Sequence, residues 1–302
     1  MIMKSAIAVI TILVLSGCTC LPEAGPTESQ ATKTSNAACD RECLSGFITQ
    51  YLDAMMAHKP DLLPVAADAR FTEDCNEMKL GEGLWKSISR LRDYRRDILD
   101  VREGVAVSFL VAEEDDSPVL FVMRLKIAHN KIAEIETMAV RNQEEGMLFN
   151  PQSLQTITET MAYVPDKTQR NTREDAIKMA VTYPAGLKIG SFMKVDSPMA
   201  PDAYRYENGQ LMAGPGCTFF QGCEVMKTQM IPTLSKITHR VVAMDEELGV
   251  VVVRMNFGPG STFDEGGGVL DVWHSFKIYD DQIHAAEAYC EIVPAGTKSG
   301  WE

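Results

Sequence analysis

The feature that most constrains this chain is that it repeats itself. Asp68-Ala-Arg-Phe-Thr-Glu-Asp-Cys75 matches Asp202-Ala-Tyr-Arg-Tyr-Glu-Asn-Gly209. Further along, Leu99-Asp-Val-Arg-Glu-Gly-Val-Ala-Val107 matches Met244-Asp-Glu-Glu-Leu-Gly-Val-Val-Val252. Leu125-Lys-Ile127 and Lys131-Ile-Ala-Glu-Ile-Glu136 then match Phe276-Lys-Ile278 and Gln282-Ile-His-Ala-Ala-Glu287. The three matches keep one order at similar offsets, which marks two copies of one domain, residues 39–150 and 170–302, joined by a linker at 151–169.

Each copy opens with a helix and continues as strands. In the first, Leu44, Phe47, Ile48, Tyr51, Leu52, Met55 and Met56 recur at three- and four-residue spacing, a stripe suited to packing on a sheet. In the second, Pro184 and Gly186 predict a broken helix between Asp175 and Phe192. Strand-like runs follow, and the β-branched run Val250 to Val253 suits a strand buried on both faces. Asn208-Gly209 and Asp280-Asp281 are the clearest turn signals, and Gly266-Gly267-Gly268, which precedes a strand, reads as a hairpin loop. Helices followed by hairpin-connected strands indicate α+β: two tandem cones, each a curved antiparallel sheet wrapped over N-terminal helices.

Several stretches resemble a known superfamily. Arg41-x-x-Leu44 and Tyr51-Leu52-x-Ala54, Phe71-Thr-Glu-Asp74, Gly81-Glu-Gly-Leu-Trp85 and the Lys131-Ile-x-Glu-Ile-Glu136 ending are similar to the SnoaL-like branch of the nuclear transport factor 2-like superfamily. The pairing with Tyr206-Glu-Asn-Gly209 and the terminal Pro294-Ala-Gly-Thr-Lys-Ser-Gly-Trp301 resembles a tandem, usually secreted family of fungal and bacterial proteins that carries a domain of unknown function. The resemblance covers nearly everything after residue 40. It implies the cone fold, but that superfamily contains isomerases, dehydratases, cyclases, lyases and binding modules, so it implies no single activity.

The N-terminus supplies an address. Lys4, an apolar stretch from Ala6 to Leu15 and then Leu15-Ser-Gly-Cys18 form a signal peptide over residues 1–17, too short to span a bilayer. Leu-Ser-Gly-Cys resembles the lipobox of bacterial lipoproteins, which implies a lipid anchor on Cys18. By the same resemblance Thr19, in place of Asp, implies the outer membrane and a position in the cell envelope facing the periplasm. Residues 18–38, rich in Pro, Thr, Ser, Ala and Gly, read as a flexible tether.

A formal charge of −13 without a clustered basic face argues against nucleic acid as a partner. Of eight cysteines, the close pairs Cys39 with Cys43 and Cys217 with Cys223 are the expected disulfides in an oxidising compartment. No metal is expected, because zinc-ligand spacing is missing, and no cofactor, because no phosphate-binding glycine loop precedes a helix.

The candidate chemistry lies in isolated ionisable groups. The superfamily resemblance implies a general base near Asp74, beside Glu73, although the same residues also suit a tight turn. Strict alternation places His274 on an apolar strand face with Leu270, Val272, Phe276 and Ile278, where the first copy has Met123. A satisfied core histidine is the alternative there. His239, aligned with Tyr94, and Glu207 complete an acid/base set if the three converge. Arg124 and Arg254 are candidates to hold a substrate carboxylate, or to pair with Glu134 or Glu136; Tyr51, Trp85 and Trp273 are candidates to line pockets. The expected function is a cofactor-independent isomerase, dehydratase or carbon–carbon lyase acting on a small apolar or aromatic molecule. Its rival is a non-catalytic lipoprotein that binds a small hydrophobic ligand or a protein partner.

Overall fold

The computed structural model describes residues 39–258, 268–298 and 301. The signal peptide, Cys18, the tether and the Gly266-Gly267 loop lie outside the described residues.

The chain begins with helix α1 (Arg41–Met56), whose Asp40 side chain accepts from the Cys43 backbone N–H while Leu44, Ile48, Tyr51, Leu52 and Met55 are buried. The Cys39–Cys43 disulfide closes across its first turn. Strands β1 (Val65–Glu73), β2 (Asn76–Glu77), β3 (Ile88–Asp100), β4 (Val105–Glu114), β5 (Ser117–Ala128) and β6 (Lys131–Val140) follow. They form a six-stranded sheet ordered β2-β1-β6-β5-β4-β3. After two short helices, α2 (Gln143–Gly146) and α3 (Glu159–Ala162), come α4 (Arg173–Ala180) and α5 (Thr182–Ile189). The expected break thus falls at Val181: the ring of Pro184 obstructs the carbonyl of Ala180, four residues earlier, where α4 ends. Strands β7 (Met199–Glu207), β8 (Gln210–Ala213), β9 (Thr238–Asp245), β10 (Val250–Asn256), β11 (Gly268–Tyr279) and β12 (Gln282–Pro294) repeat the first sheet strand for strand, in the order β8-β7-β12-β11-β10-β9. The protein is α+β with two tandem domains.

One expectation needs correction, because the sheets are mixed and not antiparallel. β1 runs parallel to β6, and β7 parallel to β12. The strands from β3 to β6 are joined by tight turns, which impose antiparallel pairing. β1 reaches its partner β6 only after the whole meander has intervened, so no hairpin dictates its direction.

Alternation along each strand sorts side chains into three apolar clusters. One joins α1 to Ala106, Leu110, Phe121, Met123 and Leu125 of the first sheet. Another joins Ala176, Tyr183 and Leu187 to Val251, Val253, Val272 and Phe276 of the second. The third lies between the sheets, where Val107, Phe109 and Val122 meet Val250, Val252, Trp273 and Tyr289. The run Val250 to Val253 is therefore covered on both faces, as its composition predicts. Leu154 and Ile157, from the linker, pack against this middle cluster.

Several polar contacts across the seam are reciprocal. Asp245 accepts from the Leu99 backbone N–H at 2.9 Å, and Asp100 from that of Met244 at 2.8 Å. Arg41 at the head of α1 donates to Asp245 at 2.8 and 2.9 Å, and Arg173 at the head of α4 donates to Asp100 at 3.0 and 2.6 Å. Arg96 pairs with Glu287 at 3.2 Å, and Arg240 with Glu136 at 2.7 Å. Each pair is the other with the two domains exchanged, the isologous pattern of a two-fold interface. This explains why the Leu99-Asp and Met244-Asp matches are so clear in the repeat: both copies answer to the same seam.

Candidate functional site

The repeat allows the interiors of the two domains to be compared position by position. In the first, Glu73 ends β1 beneath the short 3-10 turn Gly83–Lys86. Its Oε1 accepts from the Leu84 backbone N–H at 2.9 Å, while Trp85 Nε1 donates to the Tyr51 hydroxyl at 2.8 Å. Leu84, Trp85 and Tyr51 are each 1% exposed or less, so this turn plugs the interior with its own side chains. A Cβ at Gly83, where φ is +65°, would stand 2.1 Å from Glu73 Oε1; only glycine lets the turn come so close. Burial, helped by the Asp74 charge, pushes the Glu73 carboxyl up to about 7.

In the second domain Tyr183, Arg205 and Glu207 line open space. Tyr183 stands where the first copy has Tyr51, Glu207 where it has Glu73, Arg205 where it has Phe71, and His274 where it has Met123. A cavity of about 420 Å³ is lined by Tyr183, Arg205 and Glu207 together with apolar groups including Leu187, Phe220 and Leu270. Its size is in the ordinary range of small-molecule sites. Arg205, 6% exposed, pairs through Nε with Glu207 Oε1 at 3.0 Å and donates through Nη1 to the Tyr183 hydroxyl at 3.1 Å. The Gln229 side-chain oxygen accepts from Arg205 Nη2 at 3.1 Å. The Cys217–Cys223 disulfide closes the loop that carries Phe219 and Phe220 into the wall.

His274 does face the apolar interior, as alternation predicts. It packs against Tyr183 and Phe276 with ring centroids 4.9 and 5.1 Å away, and neither ring nitrogen has a hydrogen-bond partner. Burial first, and the Arg205 charge second, hold it well below the usual histidine range, so it is neutral. It lies behind Tyr183 and does not line the cavity. His239 is exposed and belongs to a separate small cleft with Arg240, Arg254 and Asp271. The three-member set of His274, His239 and Glu207 is therefore not assembled, because β9 delivers His239 near the domain seam.

The remaining candidates have structural partners. Asp74 occupies a two-residue hairpin with Cys75, at φ of 49° and 66°, matched by Asn208 and Gly209 at 46° and 80°. Asp74 Oδ1 accepts from the Ala139 backbone N–H at 2.9 Å, and Asn208 Oδ1 accepts from the equivalent Cys290 N–H at 2.9 Å. The two residues thus share one task, pinning the hairpin to the domain's last strand. Arg124 pairs with Glu134 at 2.7 Å, and Arg254 with Asp271 at 2.7 Å and with Glu136. Tyr94 and Trp273 belong to the cluster between the sheets.

Sequence reasoning passed over Arg205, Tyr183 and Gln229. For Arg205 the signal was present, since the repeat aligns it with Phe71: a charge in one copy stands where the other tolerates a phenyl ring.

Fold and site together define a two-domain α+β protein in which one domain is internally plugged and the other holds an open, largely apolar cavity. Residues 169–290, nearly all of that second domain, match a family model described as a domain of unknown function (DUF8021). No curated protein matches the chain.

Proposed function

We propose that this protein is a tandem pair of SnoaL-like cones whose second cone receives a small, largely apolar molecule. The observation that carries this reading is the contrast between the copies: Trp85 and Leu84 fill the first interior, while the same place in the second is a cavity of about 420 Å³. Arg205 and Glu207 at its wall neutralise each other, so together they offer both a donor and an acceptor without net charge. That suits an uncharged polar end, a hydroxyl or carbonyl, better than a carboxylate, which would meet Glu207. The body of the ligand meets aromatic and aliphatic side chains.

The uncharged lipophilic dye Nile red is a direct probe. It should bind with one-to-one stoichiometry and be displaced by neutral aromatic alcohols more effectively than by the matching carboxylates. Met212→Trp, which places an indole in the cavity wall, should weaken binding about tenfold or more, the loss of roughly 1.4 kcal/mol or above. Unchanged dye affinity in that variant would remove the cavity as the site.

A second reading, acid/base catalysis on the same ligand, is supported by Glu207, a carboxylate in the cavity wall. Turnover of a bound ligand that disappears in Glu207→Gln while binding persists would favour it. The lipobox further supports attachment to the envelope through Cys18. Cys18→Ala should abolish lipidation and leave the protein soluble or unprocessed, as read by detergent partitioning, and unchanged membrane association would refute the anchor.

A further inference from the structure

The two-fold pattern of the seam does not extend to the group around Asp271. β11 and β12 present Asp271 opposite Glu291, register partners on the same face. The equivalent register pair in the first domain is Leu120 opposite Val140. The hairpin residue Cys75 reaches the same spot from the other domain, and its counterpart in the repeat is Gly209, which has no side chain to offer. The fold therefore does not need these three polar groups, since the same positions in the other copy are apolar or bare.

The three converge closely. Cys75 Sγ and one carboxylate oxygen each from Asp271 and Glu291 lie within 4.8 Å of one another. Arg254 secures one side of the group, with Nη2 donating to Cys75 Sγ at 2.8 Å and to Asp271 Oδ2 at 2.7 Å. The other side is unmatched. Asp271 Oδ1 and Glu291 Oε1 are buried without a hydrogen-bond partner, although their residues are only 1% and 5% exposed. Buried carboxylate oxygens are expensive to leave unpaired, so two of them beside a thiol point to something that meets them.

We propose that Cys75, Asp271 and Glu291 form a binding site for a zinc-type divalent cation at the seam between the domains. One sulfur and two oxygens are a donor set that zinc accepts, with bonds of about 2.0–2.3 Å, and a fourth position remains for water. Bonds of that length require the donors to close by roughly one ångström, a movement open to the Cys75 hairpin and to the longer Glu291 side chain. A thiolate and two carboxylates face the divalent cation, with the Arg254 guanidinium beside Asp271 and the Asp74 carboxyl beside Glu291. On binding, the Cys75 thiol gives its proton to solvent. Ligand spacing in the sequence gives no hint of this site, because its donors come from three strands or turns of two domains.

Cobalt(II) added to the zinc-free full chain is the test. The expected result is a one-to-one complex with a thiolate-to-cobalt charge-transfer band in the near ultraviolet, displaced by zinc. The band should vanish in Cys75→Ser, and affinity should fall about tenfold or more in Glu291→Gln and Asp271→Asn. On the unaltered protein, saturating zinc should protect Cys75 from alkylation by iodoacetamide, read by peptide mass spectrometry. No band, a band of equal strength in Cys75→Ser, or alkylation at the same rate with and without zinc would each overturn the proposal.

Discussion

Asp100→Ala and Asp245→Ala each lower the unfolding free energy by about 3–5 kcal/mol, and by similar amounts. Both carboxylates are buried, at 1% and 0% exposure, and both do the same work on opposite sides of the seam. Asp245 holds the Leu99 N–H and the Arg41 guanidinium; Asp100 holds the Met244 N–H and Arg173. Alanine leaves a backbone donor of the other domain without a partner and takes the main acceptor from a partly buried guanidinium, which costs more than an exposed ion pair gives. Arg102, whose exposed side chain pairs with Glu246 at the same seam, is the control, and Arg102→Ala should cost below about 1 kcal/mol. Urea unfolding followed by circular dichroism supplies the comparison. If one of the two aspartates proves neutral while the other is costly, the seam is not two-fold in its energetics.

Glu73→Gln stabilises the protein at pH 8 and changes it little at pH 4.5. The carboxyl sits at about 7 in the folded chain against an ordinary 4.5, because burial opposes its charge. Between those two values the folded state keeps a proton that the unfolded state has released, so stability falls as pH rises through this window. The full cost, reached above pH 7, is on the order of 3 kcal/mol at about 1.4 kcal/mol per pH unit. Glutamine keeps an oxygen for the Leu84 N–H and carries no charge, and its amide has the Thr137 hydroxyl, 3.5 Å from Glu73 Oε2, within reach. The difference in unfolding free energy between variant and parent, measured at both pH values, isolates this group from other carboxyls. An equal difference at pH 4.5 and pH 8 would show that Glu73 does not titrate as its burial requires.

These expectations divide the molecule between what local pattern carries and what it does not. The helical stripe on α1, the alternation that turns His274 inward and the run Val250 to Val253 are each properties of one element, set by its own period, and are legible in the sequence. The two disulfides were readable for a similar reason, since four- and six-residue separations bring cysteines together through local chain geometry. The direction of β1 was not readable, because nothing near it in sequence dictates which strand it joins. The position of His239 is not legible from the repeat: bulges fall at different points of β3 and β9, so equal offsets do not place equal side chains.

The candidate site shows the same division in sharper form. Sequence alone determined that the chain is one α+β domain written twice, and that the copies differ where Arg205 replaces Phe71 and His274 replaces Met123. Only the tertiary structure decided that Trp85 plugs the first interior while the second stays open, that Arg205 is tied to Glu207, and that Cys75 meets Asp271 and Glu291. Periodicity reports which face of an element a residue occupies, but those contacts depend on where separate elements come to rest against each other.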